Sequence, residues 1–145
     1  MSPRWTSLGA TLVLVAAVVC LLALRLLIAV GGWAVAIQGL AVLLMLWARV
    51  AFGARSFHAG ANPTEGGLVT TGPYRFLRHP IYSAILFFVW AGAISHGATA
   101  GLGLALVASA AIAVRIAAEE RLVSERYPEY ADYAARTRRI VPFIF

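Results

Sequence analysis

Apolar residues occur along this chain in long runs that no charged residue interrupts. Residues 5–24 and 26–48 form two such runs, separated by a single arginine. Each run approaches or exceeds the roughly 20 residues with which an α-helix crosses a bilayer. The first is also longer than the roughly 7–15 residues of a signal-peptide core, which favours a retained helix. The pattern predicts membrane-spanning helices over about residues 5–28 and 33–52, joined by a short glycine turn.

A third charge-free stretch covers residues 79–114. As one helix it would extend about 54 Å, far more than the roughly 30 Å of a bilayer core. The tripeptide Ser95-His96-Gly97 lies inside it and predicts a hairpin turn. We therefore expect two further helices over about residues 80–95 and 98–124, the former short for a full crossing.

Composition supports a lipid environment for these helices. Hydrophobic residues make up 61% of the 145 and charged residues 12%. Soluble domains are usually about 45–50% apolar and about 25% charged. The expected fold is a single all-α integral membrane domain over residues 1–145. It has about four transmembrane helices, of which the last two form a hairpin, together with a cytoplasmic loop and an amphipathic C-terminal tail.

The distribution of charge predicts an orientation in the membrane. All twelve basic residues are arginines, and the net charge is +6. Four spans place every arginine except Arg25 on one side, together with all the acidic residues. The positive-inside rule then makes both termini cytoplasmic, and we expect the plasma (inner) membrane of a prokaryote. The arginines form no stripe interleaved with exposed aromatics, so nucleic acid is not an expected partner.

The first segment with candidate chemistry precedes the third helix. Residues 66–82 combine glycines and prolines with tyrosine, histidine and arginine. Pro80 suits the first turn of a helix, where its missing N–H costs nothing. Tyr74, His79 and Tyr82 offer a stacking surface and hydrogen-bond donors. A belt of aromatic and basic residues that anchors a helix at the membrane interface remains an equal alternative.

The second segment lies at the end of the last long helix. Arg115 and Glu119 are four residues apart and share one helical face, whereas Glu120 points about a quarter-turn away. A structural ion pair between Arg115 and Glu119, just beyond the membrane, would account for both residues without a catalytic or binding role. Arg115 nevertheless follows a long apolar run directly, and an ionisable group at that boundary is a candidate functional residue. No metal site is expected, because the three histidines lack ligand spacing.

The order of these motifs is similar to that of the isoprenylcysteine carboxyl methyltransferase family and its phospholipid methyltransferase relatives. The resemblance covers about residues 43–145. It is carried by Thr71-Gly72-Pro73-Tyr74-Arg75, Arg78-His79-Pro80-Ile81-Tyr82, Arg115, Glu119-Glu120, Tyr130, Tyr133 and Pro142.

The resemblance implies an S-adenosylmethionine-dependent methyltransferase with a lipophilic small-molecule substrate or a membrane lipid as methyl acceptor. Arg115 and Glu119 would be catalytic. The cofactor would be bound by Gly72, Tyr74, His79, Pro80, Tyr82 and Glu120, and the resemblance leaves open which of Glu119 and Glu120 contacts it. Carboxyl (O-) methylation of an isoprenoid or lipid-like acid is the leading expectation. N-methylation of a phospholipid or other lipid amine, or a non-catalytic lipid-binding protein on the same scaffold, stays open.

Overall fold

The computed structural model describes residues 3–53 and 67–141, and the side chains from Trp5 onwards. These residues contain no strand, only one isolated parallel bridge between Leu77 and Arg138. The predicted all-α fold is confirmed for this part of the chain. Its helices are α1 (Pro3–Ala23), α2 (Gly32–Phe52), a 3-10 helix (Gly72–Arg75), α3 (Pro80–His96), α4 (Thr99–Arg126) and α5 (Tyr130–Arg136).

Three of these helices are long and apolar enough to cross a membrane, namely α1, α2 and α4. Helix α3 is apolar but has 17 residues, which corresponds to about 26 Å. Large apolar side chains stay on the outside of the bundle, including Leu12 at 72% exposure and Leu40 at 66%. Such a surface is stable against lipid rather than water, and the chain is an integral membrane protein.

The helices pack in the spatial order α1, α4, α3, α2. Leu21, Val89 and Ile112 are almost fully buried where α1, α3 and α4 meet. Buried alanines such as Ala105 and Ala108 bring the backbone of α4 close to its neighbours. Small residues have this role in membrane bundles, because lipid-exposed helices associate mainly through close packing.

Helix α1 ends earlier than the predicted span over residues 5–28. It stops at Ala23 because Arg25 adopts a left-handed conformation with φ 59°. The N–H of Leu26 then donates to the carbonyl of Leu21 at 2.8 Å, which closes a Schellman-type cap. Hydropathy does not reveal this end, since the apolar run continues beyond it.

Gln38 holds the non-helical segment between α1 and α2, a role that the sequence did not predict. Gln38 is one of the buried residues of α2. Its amide nitrogen donates to the carbonyls of Leu27 at 2.8 Å and Phe88 at 3.0 Å, and its oxygen accepts from the N–H of Ala29 at 3.0 Å. Backbone groups at membrane depth need such partners. The available signal was a lone amide in an otherwise apolar run.

The predicted hairpin between the last two long helices is present. Gly97 adopts the left-handed conformation at φ 63°, and its N–H donates to the carbonyl of Ile94 at 3.0 Å. Helix α4 begins two residues later, at Thr99. We call this end of the bundle the turn end. The opposite end, where α3 begins and α4 finishes, is called the polar end, and it carries the predicted site residues.

Candidate active site

The two predicted segments meet at the polar end of the bundle. The hydroxyl of Tyr82, in the first turn of α3, donates a hydrogen bond to Glu119 of α4. Four residues earlier in the chain, Nε of Arg78 lies 3.0 Å from Oε1 of Glu120. The loop before α3 and the charged end of α4 therefore form one cluster of side chains, in agreement with the resemblance, which implied a cofactor site with residues from both segments.

Pro80 directs the chain into this cluster. It is the first residue of α3, almost fully buried, and it needs no partner for an N–H. His79 immediately precedes the helix, and its ring lies 5.8 Å from that of Tyr82, centroid to centroid. Both rings therefore face the end of α4.

The inner part of the cluster consists of Arg115, Tyr82 and Glu119. Nε of Arg115 donates to the hydroxyl of Tyr82 at 2.7 Å, and Nη2 donates to Oε1 of Glu119 at 3.1 Å. Arg115 is only 6% exposed, so its charge sits in a poorly solvated position. The neighbouring carboxylate and phenol fix the orientation of the guanidinium there.

The outer part of the cluster surrounds Glu120, and we call Arg78, His79, Glu120 and Arg139 the Glu120 cluster. Oε1 of Glu120 accepts from Nε of Arg78 at 3.0 Å and lies 3.3 Å from Nε2 of His79. Oε2 accepts from Nη2 of Arg139 at 2.9 Å. Glu119 and Glu120, although adjacent in sequence, thus pair with different arginines, while His79 lies between them, with its Nδ1 3.9 Å from Oε2 of Glu119.

The C-terminal segment closes over the polar end. The N–H of Arg78 donates to the carbonyl of Arg138 at 2.6 Å, and that of His79 to the carbonyl of Arg139 at 3.1 Å. The hydroxyl of Ser83 donates to the carbonyl of Ile140 at 2.6 Å. The sequence predicted an amphipathic tail, and its described part packs on the site, whereas Pro142 and the residues after it lie outside the described ranges.

Residues 26–130 match the family described as phospholipid methyltransferase. The chain belongs to the phospholipid methyltransferase family. The matched region contains all eight residues that the sequence predicted for the site. The segment that carries Arg139, in contrast, lies beyond the family match.

Two curated relatives are similar to part of this family member. The nickel-cobalt-cadmium resistance protein NccN of Alcaligenes xylosoxydans xylosoxydans is 39% identical over 85 residues, which is 58% of this chain and 39% of the relative. The cobalt-zinc-cadmium resistance protein CzcN of Cupriavidus metallidurans is 36% identical over 76 residues, 52% of this chain and 35% of the relative. The matches thus span well under half of each relative. No solved structure matches the chain.

The described residues of this chain form no cluster of candidate metal ligands. No group of three or more His, Cys, Asp or Glu side chains among them is placed to hold an ion. His79 lies at the polar end, whereas His96 lies at the turn end beside the carbonyl of Ile28. His58 falls outside the described residues. The expectation of no metal site remains a prediction.

Gly72 and Tyr74 link the site of this methyltransferase-family member to α2. Gly72 has φ 58°, and a Cβ added there would lie 2.8 Å from that of Ala51. The ring of Tyr74 packs 5.4 Å from that of Phe52, centroid to centroid. The backbone carbonyl of Tyr74 accepts a hydrogen bond from the hydroxyl of Tyr133 at 2.7 Å. These contacts place the 3-10 helix between α2 and α5.

Burial favours the neutral form of the two phenols, Tyr74 and Tyr133. It raises the pKa of Tyr133 to about 12, although nearby Arg78 lowers that pKa. Burial, followed by the influence of Tyr133, raises the pKa of Tyr74 above its usual range. Both hydroxyls therefore remain hydrogen-bond donors at physiological pH.

Proposed function

We propose that this chain is a membrane-embedded, S-adenosylmethionine-dependent methyltransferase whose acceptor is a lipophilic molecule. The observation that carries the proposal is the contact of the loop before α3 with consecutive carboxylates of α4, through Tyr82 to Glu119 and Arg78 to Glu120. Membership of the phospholipid methyltransferase family supports the same reaction class. Apolar helices that face lipid would give such an acceptor direct access from the bilayer.

The residues at the polar end fit the chemistry of the proposed cofactor. Glu120 supplies a negative charge for its ammonium group, and the aromatic rings supply stacking surfaces. When bound, S-adenosylmethionine would supply a methyl group attached to a positively charged sulfur. The methyl passes to the nucleophile by in-line displacement, and the sulfur leaves as a neutral thioether. The residues that would line the cofactor are Gly72, Tyr74, His79, Pro80, Tyr82 and Glu120.

Arg115 and Glu119 would face the acceptor. Methyl transfer chiefly requires the nucleophile to be held in line at about 3–3.5 Å from the methyl carbon. A carboxylate nucleophile needs no base, and the fixed guanidinium of Arg115 can orient it. We therefore propose O-methylation of an isoprenoid or lipid-like acid. Arginine predominates at the polar end of the bundle. This supports a cytoplasmic polar end in the plasma (inner) membrane of a prokaryote, with both termini cytoplasmic.

N-methylation of a lipid amine is the second candidate, and the contacts of Arg115 favour it. Its Nε and Nη2 already donate to Tyr82 and Glu119 within the chain. A carboxylate acceptor would also approach the charge of Glu119, whereas an ammonium would be attracted by it. An amine must lose a proton before it attacks, and Glu119 is a carboxylate that can receive that proton.

Cofactor binding tests the proposed function through Glu120. Replacement of Glu120 with Gln keeps the size of the side chain but removes the charge that would hold an ammonium. We expect the affinity for S-adenosylhomocysteine to fall at least about tenfold, measured by calorimetry on detergent-purified protein. Glu125→Gln is the matched control, since Glu125 lies on the same helix in an exposed pair with Arg121. Absence of binding to the unmodified chain at millimolar ligand would favour a non-catalytic scaffold.

A methyl-transfer assay separates the two acceptor chemistries. Radiolabelled S-adenosylmethionine is offered with pairs of lipids that share one hydrocarbon chain and differ in a carboxylate or an amine head. We expect label in the acid partner, and alkali should release it as methanol because methyl esters hydrolyse. Label that appears in the amine partner and survives alkali would overturn the carboxyl assignment in favour of N-methylation.

A further inference from the structure

The two oxygens of Glu120 face different environments. Oε1 is held from the inside by Arg78 and approached by His79, whose side chains are each 11% exposed. Oε2 accepts from Nη2 and Nε of Arg139 at 2.9 and 3.0 Å, and the same Nε also lies 3.2 Å from Oε1. The Arg139 side chain is 44% exposed and forms the outer edge of the cluster. A ligand that arrives from water therefore reaches the Oε2 side of this carboxylate first.

Contacts other than the Arg139 side chain also hold Glu120 and the backbone around Arg139. The main chain at Arg139 stays attached, because its carbonyl accepts from the N–H of His79 at 3.1 Å. Arg78 would continue to hold Glu120, and it is itself fixed by hydrogen bonds of 2.7 Å to the carbonyls of Ala134 and Thr137. The Arg139 guanidinium is thus the more exposed of the two that hold Glu120, with side-chain exposures of 44% for Arg139 and 11% for Arg78.

We propose that Glu120 and Arg139 together form a receptor for the zwitterionic amino-acid end of the cofactor. Glu120 would take the ammonium, and Arg139 would take the carboxylate. The inference rests on the proposed function and assigns a binding role to a residue outside the family match.

The charges of a zwitterion match this pair. When an amino-acid group enters between the two side chains, one ion pair is replaced by two. The ammonium meets the Oε2 side of Glu120, and the carboxylate meets the planar fork of the guanidinium, which suits bidentate contact. Hydrogen bonding to Glu120 raises the pKa of Arg139, so this cation is present at any physiological pH.

Ligands with and without the carboxylate test the assignment. Calorimetry on the detergent-purified full chain compares S-adenosylhomocysteine with its decarboxylated analogue, which keeps the ammonium. We expect Arg139→Gln to weaken the first ligand about tenfold and to change the second by less than about twofold. Arg139→Lys keeps the positive charge but lacks the planar guanidinium. Its affinity for S-adenosylhomocysteine should lie between that of the unmodified chain and that of Arg139→Gln.

Arg121→Gln is the matched control, because Arg121 lies in an exposed pair on α4 away from the cluster. Melting temperatures close to that of the control would show that the Arg139 variants are folded. Equal losses for both ligands would overturn the proposal, since Arg139 would then act only by positioning Glu120. Tighter binding of both would overturn it too, since Arg139 would merely compete with the ammonium. If the unmodified chain binds neither ligand, the proposed function itself fails, and this inference fails with it.

Discussion

Arg115→Ala is expected to lower the rate of methyl transfer about a hundredfold or more while the affinity for S-adenosylhomocysteine changes less than about threefold. Arg115 sits behind Tyr82 and Glu119, to which it donates hydrogen bonds of 2.7 and 3.1 Å. Its loss removes the cation that orients the acceptor, whereas Tyr82 keeps its hydrogen bond to Glu119. The Glu120 cluster, which would bind the cofactor, keeps the partners described above. Single-turnover methyl transfer and calorimetry measure the two effects separately.

Two further variants make the Arg115 result specific. Arg126→Ala removes an exposed arginine at the last position of α4 and should leave both quantities unchanged. Arg115→Lys keeps the charge but loses the planar fork, so most of the rate should still be lost. A parallel loss of cofactor affinity and rate in Arg115→Ala would place this residue in the cofactor pocket instead.

Gly92→Ala is expected to destabilise the bundle by about 3 kcal/mol, which is a large share of the stability of a small domain. A Cβ at Gly92 would lie 2.1 Å from the carbonyl oxygen of Leu27 and 2.9 Å from that of Leu26. Both are backbone atoms, and the Leu27 carbonyl already accepts from Gln38 at 2.8 Å. The added methyl would therefore push apart α3 and the segment that Gln38 holds. Denaturant titration in a fixed detergent measures the change in the free energy of unfolding.

Gly103→Ala provides the opposite result on the neighbouring helix. No atom outside the local helix backbone lies within 4 Å of a Cβ added there. Alanine lowers the entropy of the unfolded chain and favours the helix, so this variant should gain up to about 1 kcal/mol. If Gly92→Ala unfolded at the same denaturant concentration as Gly103→Ala, the close approach of α3 to the Leu27 carbonyl would be wrong.

Sequence alone was sufficient for the fold class because bilayers constrain length and charge strongly. A helix that crosses lipid needs about twenty apolar residues, and the charge-free runs show where those residues lie. The turn at Gly97 was visible because glycine readily takes the left-handed cap conformation. The candidate residues Tyr82, Arg115 and Glu119 were selected from motif order and helical spacing. The structure brings these three side chains into direct contact.

Tertiary structure alone decided which partners the polar groups have. The hydrogen bonds of Gln38 join α2 to the segment after α1 and to the carbonyl of Phe88 in α3. The pairing of Glu120 with Arg139 depends on the tail crossing the loop before α3. The local sequence pattern carries no information about such long-range contacts. An arginine such as Arg139 is well solvated in water, and only packing of the tail brings it next to Glu120. Sequence thus determined the helices and the residue types of the candidate site, whereas packing determined how its two carboxylates differ.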